Sequence, residues 1–455
     1  MRGLTLEAAA RACGGRYIGS DKLLNREIEF ITTDSRKASD GCLFAAIPGE
    51  RVDGHSFISG AFRAGALCAI CERVPENVEG ACIVVPSTQD ALGAIAAYYR
   101  TQFDIPFVGI TGSVGKTTAK ELIAAVLSRR FNVLKTEGNF NNELGVPLTL
   151  FRLRDEHEAA VVEMGISHFG EMRRLSNMVK PDMAVFTVIG YSHLEFLKNR
   201  EGVLRAKSEI TEHMQGQGTV FVNGDDDLLR SMSCAQNKVT FGLSNECGIR
   251  AENVEYSGLD GMTFDIVCPP RRIHAHINAF GVHVVTAALA AAAVGIHLGL
   301  TDDEIRLGID DYRTISGRAL AENTGFCTVI DDAYNSNPTS ASAAIASLAA
   351  LGGRRVCILG DMRELGEASE SLHAEVGRLA AESGIDLIIC CGEQAAAIRS
   401  GANEVGPGSA VMYYPEMGML IKDIQKLIRR GDSVLVKASH SMRFEEIVKA
   451  LKALK

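Results

Sequence analysis

The sequence predicts an α/β chain of three domains, and three observations carry that expectation. Strand-like and helix-like segments alternate along most of the 455 residues, the pattern of mostly parallel sheets covered by helices. At 107–129 a buried-strand signal runs straight into a glycine-rich turn and a helix. After about residue 314 the alternation starts afresh. The length exceeds what one core usually serves. The expected organisation is a small α/β N-terminal domain over 1–98, a central P-loop domain with a doubly wound, mostly parallel sheet over 99–313, and a C-terminal Rossmann-like α/β domain over 314–455.

Each element has its own signal. In the first domain, apolar runs at 43–47 and 66–70 read as strands, and a helix over 90–99 closes the unit. In the second, the continuous apolar runs at 107–110, 159–164, 183–189 and 219–222 have the length of buried strands. Helices fall at 116–129 and 200–214, and the alanine-rich run 287–298 makes another. In the third, strands at 328–330, 355–359, 387–391 and 433–437 alternate with helices at 340–351 and 371–382.

Composition narrows the function. Hydrophobic residues make up 46% and charged residues 23%, an ordinary globular balance. A net charge of −9 argues against nucleic acid or an anionic membrane as partner, so any phosphate ligand needs a local site. The 12 cysteines sit mostly in apolar runs, as reduced buried thiols do. Cys68-Ala69-Ile70-Cys71 has redox spacing but lies in a strand-like run, with no second pair to complete a zinc site. Met1-Arg2-Gly3 leads directly into a polar helical pattern rather than a signal peptide, and the apolar stretch 283–300 contains Gly295 and His297. A cytoplasmic monomer without stable membrane insertion is expected.

The chemistry starts at Gly109-Ile110-Thr111-Gly112-Ser113-Val114-Gly115-Lys116-Thr117-Thr118. A strand, a glycine-rich turn and a helix are the context a phosphate loop requires. Glycines let backbone N–H groups converge on phosphate oxygens, and the helix start adds positive potential. Lys116 would reach the β- and γ-phosphates of ATP, and the Thr117 hydroxyl would hold Mg²⁺. The spacing is not the common Gly-x4-Gly-Lys-Thr, because Ile110 stands five residues before Gly115. Glu163 ends an apolar strand, which places its carboxylate beside the loop and in reach of the same Mg²⁺. Asn139, Asn141 and Asn142 precede an apolar helix, where one asparagine would suffice as a cap.

These features occur in order with Ser35-Arg36-Lys37, Asp53-Gly54-His55, Glu163-Met164-Gly165, Ser192-His193-Leu194-Glu195, Ala206-Lys207-Ser208-Glu209, Gly317-Arg318, Asp331 to Pro338, Gly360-Asp361-Met362 and Lys437-Ala438-Ser439. The set resembles the Mur ligase family over nearly the whole chain, and within it the member that adds D-alanyl-D-alanine to the UDP-N-acetylmuramoyl tripeptide. The variant phosphate loop is the form that family uses. The resemblance implies two small-molecule substrates, UDP-MurNAc-tripeptide and D-alanyl-D-alanine, with ATP and Mg²⁺ as cofactors. It implies ATP contacts from Thr111 through Thr118 and from Arg318, Asp332 and Asn335. It makes His193 ligand of a second metal ion and Lys207 a lysine that CO₂ converts to a carbamate anion near the metals. Lys116, Glu163, His193 and Lys207 are then the catalytic set. Ser35, Arg36 and His55 are implied at the uridine diphosphate end, and Asn139, Asn141 and Asn142 near the γ-phosphate and muramoyl group.

Two departures stand out. The family's His-Asn-x-x-Asn reads His283-Val284-Val285-Thr286-Ala287, without either asparagine, and a commoner Lys-Gly-Ser-Arg reads Lys437-Ala438-Ser439-His440. Among rivals, a folylpolyglutamate synthase-like ligase shares the loop but lacks such a first domain. A GTP-binding switch would need an Asn-Lys-x-Asp segment, which does not follow the loop.

Overall fold

The computed structural model describes residues 1–49, 52–74, 80–214 and 216–455. Among them the strands form three sheets, one after another along the chain. The first holds β1 (Arg16–Ile18), β2 (Phe30–Thr32), β3 (Cys42–Ala45), β4 (Cys68–Cys71) and β5 (Ala81–Val84), in the order β1-β5-β4-β3-β2. Cys68 and Cys71 lie buried in β4 as free thiols, so the redox spacing there belongs to core packing. The helix Thr88–Arg100 follows, with the Ser87 hydroxyl capping its start.

The second sheet has nine strands: β6 (Phe107–Thr111), β7 (Val133–Lys135), β8 (Ala159–Glu163), β9 (Met183–Phe186), β10 (Thr219–Asn223), β11 (Asn237–Gly242), β12 (Ile249–Tyr256), β13 (Met262–Cys268) and β14 (Arg271–Ile277). Their order is β14-β13-β12-β11-β10-β9-β6-β8-β7. From β7 to β12 every pairing is parallel, whereas β12, β13 and β14 pair antiparallel. β6 lies between β8 and β9. The chain leaves β6 in one direction and returns on its other side, so a crevice opens at the carboxyl end of β6, where open α/β sheets bind ligands.

The third sheet contains β15 (Leu320–Asn323), β16 (Thr328–Asp331), β17 (Arg355–Gly360), β18 (Leu387–Cys391), β19 (Ala410–Tyr414) and β20 (Ser433–Lys437), in the order β15-β16-β20-β17-β18-β19. Only β15 pairs antiparallel. The three-part α/β architecture is therefore as expected, and none of the described helices is long and apolar enough to cross a membrane.

Three details differ from the sequence reading. The stretch between 222 and 287, left unassigned, holds four strands, three of them with one buried and one exposed face. The helix expected over 200–214 is α-helical only over Arg200–Ser208 and tightens to a 3₁₀ turn over Glu209–His213. There the Ile210 carbonyl accepts from Ser176 Oγ at 2.7 Å, while the Glu209 carboxylate accepts from the backbone N–H of Gly170 and Arg173. These bonds to the neighbouring helix draw the chain off the α-helical path. The alanine-rich helix starts a turn earlier than expected, at His283–His297.

Candidate active site

The phosphate loop is shaped by two glycines. Gly115 sits in the left-handed region at φ 81°, where an L side chain would be strained, and it opens the helix Lys116–Leu127. Gly112 passes so close to Thr187 that a Cβ there would meet Thr187 Oγ1 at 1.9 Å. The loop is held from the segment that follows β9. Ser113 N–H donates to the Val188 carbonyl at 2.7 Å, Thr187 Oγ1 donates to the Val114 carbonyl, and Ser192 Oγ donates to Ser113 Oγ at 2.8 Å. Lys116 Nζ folds back onto the Gly112 carbonyl at 2.8 Å. That is the position from which it can swing to an incoming phosphate.

A cleft of about 540 Å³ runs over this loop, a volume suited to a nucleotide-sized ligand. On one side stand Asn139, Asn141, Asn142 and Glu163 with the segment that reaches Glu171, and Gln89 projects in from the first domain. On the other stand Arg318, Asp332, Asn335 and Lys437. His193 and the loop residues Ser113 through Thr118 lie between. Thr111 and Gly112 sit beneath the loop rather than in the lining, and Lys207 is likewise below the surface.

Glu163 ends β8 and is 2% exposed. Its Oε1 accepts from Asn141 Nδ2 at 2.8 Å, whereas its buried Oε2 has no hydrogen-bond partner. The fully buried Lys120 ammonium lies 4.0 Å from that oxygen. An orphaned carboxylate oxygen in the cleft that Thr117 also lines fits Mg²⁺, which takes one or two protein ligands and fills its shell with phosphate oxygens and water. Among the described residues no cluster of three or more His, Cys, Asp or Glu side chains forms a self-sufficient metal cage.

Lys207 is 1% exposed, and among the described residues its ammonium has neither a hydrogen bond nor an ion pair. Burial, and then the charge of Lys116, push its pKa well below the ordinary lysine range, against the pull of Glu171. Lys116 is also lowered by burial, with Glu163 opposing and Arg318 adding repulsion. The phosphate loop is thus a concentration of cations awaiting negative charge.

On the far side, the Arg318 guanidinium carbon lies over the Tyr334 ring, 3.9 Å from its centroid, an arrangement that orients the guanidinium. Asp332 Oδ2 accepts from Lys437 Nζ at 2.7 Å, and the same ammonium donates to the Asn335 carbonyl at 3.0 Å. Asn335 Oδ1 is occupied by Ser336 N–H, and Asn337 caps the helix Pro338–Ala349. Lys437 is 2% exposed, so Asp332→Asn would leave a buried cation without its counter-charge. It is expected to cost on the order of 3 kcal/mol, read as a lower urea midpoint of unfolding.

His193 adopts φ 54° and points its Nδ1 at Glu364 Oε2 of the last domain, 2.5 Å away. Glu364 is held below the usual carboxylate range, chiefly by that hydrogen bond. The Glu195 N–H also donates to the Glu364 carbonyl, and Tyr191 N–H to Thr339 Oγ1. These bonds draw the middle and last domains together over the cleft.

The residues expected at the uridine diphosphate end stand apart from this cleft. Ser35 and Arg36 form an exposed 3₁₀ turn, with the Arg36 guanidinium doubly bonded to Asp34 at 2.8 and 2.9 Å. His55 differs from the expectation of direct substrate contact. It is 5% exposed, its Nδ1 is 2.6 Å from Asp53 Oδ1, and its Nε2 accepts from Glu72 N–H at 2.9 Å. Both ring nitrogens are consumed in tying the Asp53 loop to the end of β4. Asn142 likewise accepts from Leu144 and Gly145 N–H, a turn-forming role, while Asn139 is exposed.

Sequence reasoning gave no role to His283, whose buried Nδ1 is unpartnered, nor to Lys437 and Tyr334, which it quoted only as parts of motifs, and it missed Glu364, Gln89 and the pair His168 and Glu171. A lysine ending an apolar strand was the available sign for Lys437. Glu364, in a loop of the opposite domain, carried none.

Comparison with known proteins agrees with this architecture. Residues 27–100 match the model described as Mur ligase family, catalytic domain, residues 110–295 the Mur ligase middle domain, and residues 319–440 the Mur ligase, glutamate ligase domain. The chain is 37% identical over 429 residues to the UDP-N-acetylmuramoyl-tripeptide--D-alanyl-D-alanine ligase of Bacillus subtilis (strain 168), covering 93% of each. It superposes on a crystal structure of MurF from Acinetobacter baumannii with a TM-score of 0.92 and 34% identity, over 99% of this chain and 98% of that one. A MurF ligase from Thermotoga maritima in complex with ADP gives a TM-score of 0.84 at 27% identity, over 93% and 97%. With family models matching most of the chain and a relative 37% identical over 93% of it, the chain belongs to the Mur ligase family.

Proposed function

We propose that this protein is an ATP-dependent ligase that joins D-alanyl-D-alanine to UDP-N-acetylmuramoyl-tripeptide, giving the pentapeptide precursor of peptidoglycan, ADP and phosphate. The observation that carries the reading is the single cleft in which Lys116 and Glu163 of the middle domain face Arg318 and Asp332 of the last. A carboxylate is a poor acceptor for an amine, because its carbon is not electrophilic and oxide does not leave. Transfer of the γ-phosphoryl group of ATP to the tripeptide carboxylate removes both obstacles by making an acyl phosphate.

Lys116 neutralises charge developing on the phosphoryl oxygens, and Arg318 braces the phosphate chain with a guanidinium fork. Thr117 and Glu163 would hold Mg²⁺, with His193 holding a second ion, and the metal would supply Lewis-acid charge to the same oxygens when bound. Asn141 orients Glu163, and Asp332 accepts from the ribose hydroxyls while paired with Lys437. Residues 1–98 receive the uridine diphosphate end through Ser35 and Arg36, with His55 holding the adjoining loop. Residues 99–313 and 314–455 share the ATP. Splitting the nucleotide contacts between two domains makes closure a condition of reaction.

The test is phosphate release by the purified protein with ATP and UDP-tripeptide. Sustained release is expected only when D-alanyl-D-alanine is added. Release that ignores the dipeptide would contradict the reading.

A further inference from the structure

Besides the residues assigned above, the cleft holds a second histidine–carboxylate pair. His168 and Glu171 both line it, on the flank opposite Arg318 and Asp332. His168 Nδ1 is 3.1 Å from Glu171 Oε1, and Glu171 Oε2 accepts from Ser167 N–H at 2.8 Å, which fixes the carboxylate at the start of the helix Glu171–Val179. A carboxylate only accepts, so the imidazole proton sits on Nδ1 and Nε2 keeps its lone pair. No hydrogen bond to Nε2 occurs among the described residues. The ring also packs against Phe196, with centroids 4.1 Å apart and planes tilted by 37°, so it is held from two sides while its side chain stays 54% exposed.

The other two histidines of the cleft are differently placed. His283 lies among Asp332 and Lys437 on the nucleoside side. His193 is bound to Glu364 across the domain boundary and is assigned to metal. The His168 pair lies within one domain, on the same flank as Glu163 and Asn141.

We infer that His168, oriented by Glu171, is the base that frees the amine of the incoming dipeptide for attack on the acyl phosphate. At neutral pH that amine is largely an ammonium and cannot attack. His168 Nε2 takes one proton from it. The nitrogen lone pair forms the C–N bond, the C–O bond to phosphate breaks, and the phosphate leaves with that electron pair. The second amine proton goes to the departing phosphate as hydrogen phosphate. The charged groups facing His168 are Glu171, which opens the helix that follows it, and Glu364 from the last domain, which also holds His193.

This inference rests on the ligase reading, and the experiment separates the two. Three quantities are measured for the parent and for His168→Gln: ligation of D-alanyl-D-alanine, acyl phosphate trapped by borohydride without dipeptide, and hydroxamate formed with hydroxylamine. Hydroxylamine is already unprotonated at neutral pH and needs no base. The expected result for His168→Gln is a loss of ligation of about 10²- to 10⁴-fold, with acyl phosphate and hydroxamate at the parent level. Glu171→Gln is expected to fall between the two. Ligation by His168→Gln within a few-fold of the parent would overturn the inference, as would a parallel loss of acyl phosphate and hydroxamate. A parent that forms no acyl phosphate at all would instead overturn the ligase reading.

Discussion

Lys116→Ala is expected to lower ligation by about 10³-fold, the cost of removing one preorganised charge from a developing oxyanion, while leaving the fold intact. The side chain donates only to the Gly112 carbonyl, and Ser113, Val114 and Gly112 are held independently by Val188 and Thr187. Its removal even relieves repulsion, because Lys116 is the charge that most depresses Lys207 after burial. Thermal unfolding of the variant should therefore occur at or slightly above the parent temperature. The two readouts must diverge. A variant that ligates at a near-normal rate would remove the phosphate loop from the mechanism, and one that unfolds early would show that the lysine serves the fold.

How far such a site is visible in a sequence depends on whether one local segment contains it. The phosphate loop is local: strand, glycines, lysine and threonines are contiguous, and β6 and its helix stand where hydrophobic pattern and turn chemistry put them. Glu163 was legible because a carboxylate ending a buried strand has few places to be in a doubly wound sheet. His55 was misread because its spacing to Asp53 says nothing of Glu72, 17 residues on, which takes the other ring nitrogen. Glu364 was invisible, since its meaning comes from a domain contact with His193, 171 residues away. The hairpins β12 to β14 went unassigned for a related reason. Their alternation is half-polar, and the buried half faces the helices His283–His297 and Asp302–Asp310, which come later in the chain.

Lys207 gives the second large effect, and here activity and stability are expected to move in opposite directions. Its folded pKa lies well below the ordinary 10.5, so between those two values the unfolded chain binds a proton that the folded chain does not. Stability contributed by this group therefore rises with pH across that window and is lowest beneath it. Lys207→Met removes the penalty and is expected to raise stability by about 1–2 kcal/mol near neutral pH, flattening the pH dependence of the urea midpoint. The same burial weakens the amine's hold on its proton, which favours reaction of the free amine with CO₂, and a carbamate there would replace the repulsion from Lys116 by attraction and add a negative group to the site. The parent should therefore lose ligation in CO₂-depleted buffer and regain it with bicarbonate. Lys207→Met should be about 100-fold slower and indifferent to bicarbonate. Ligation by Lys207→Met within a few-fold of the parent would leave the buried lysine a structural oddity. A parent insensitive to CO₂ would mean that the amine acts uncarbamylated. The stability gain is to be read in CO₂-depleted buffer, where the buried amine carries no carbamate and its charged form is costly to bury.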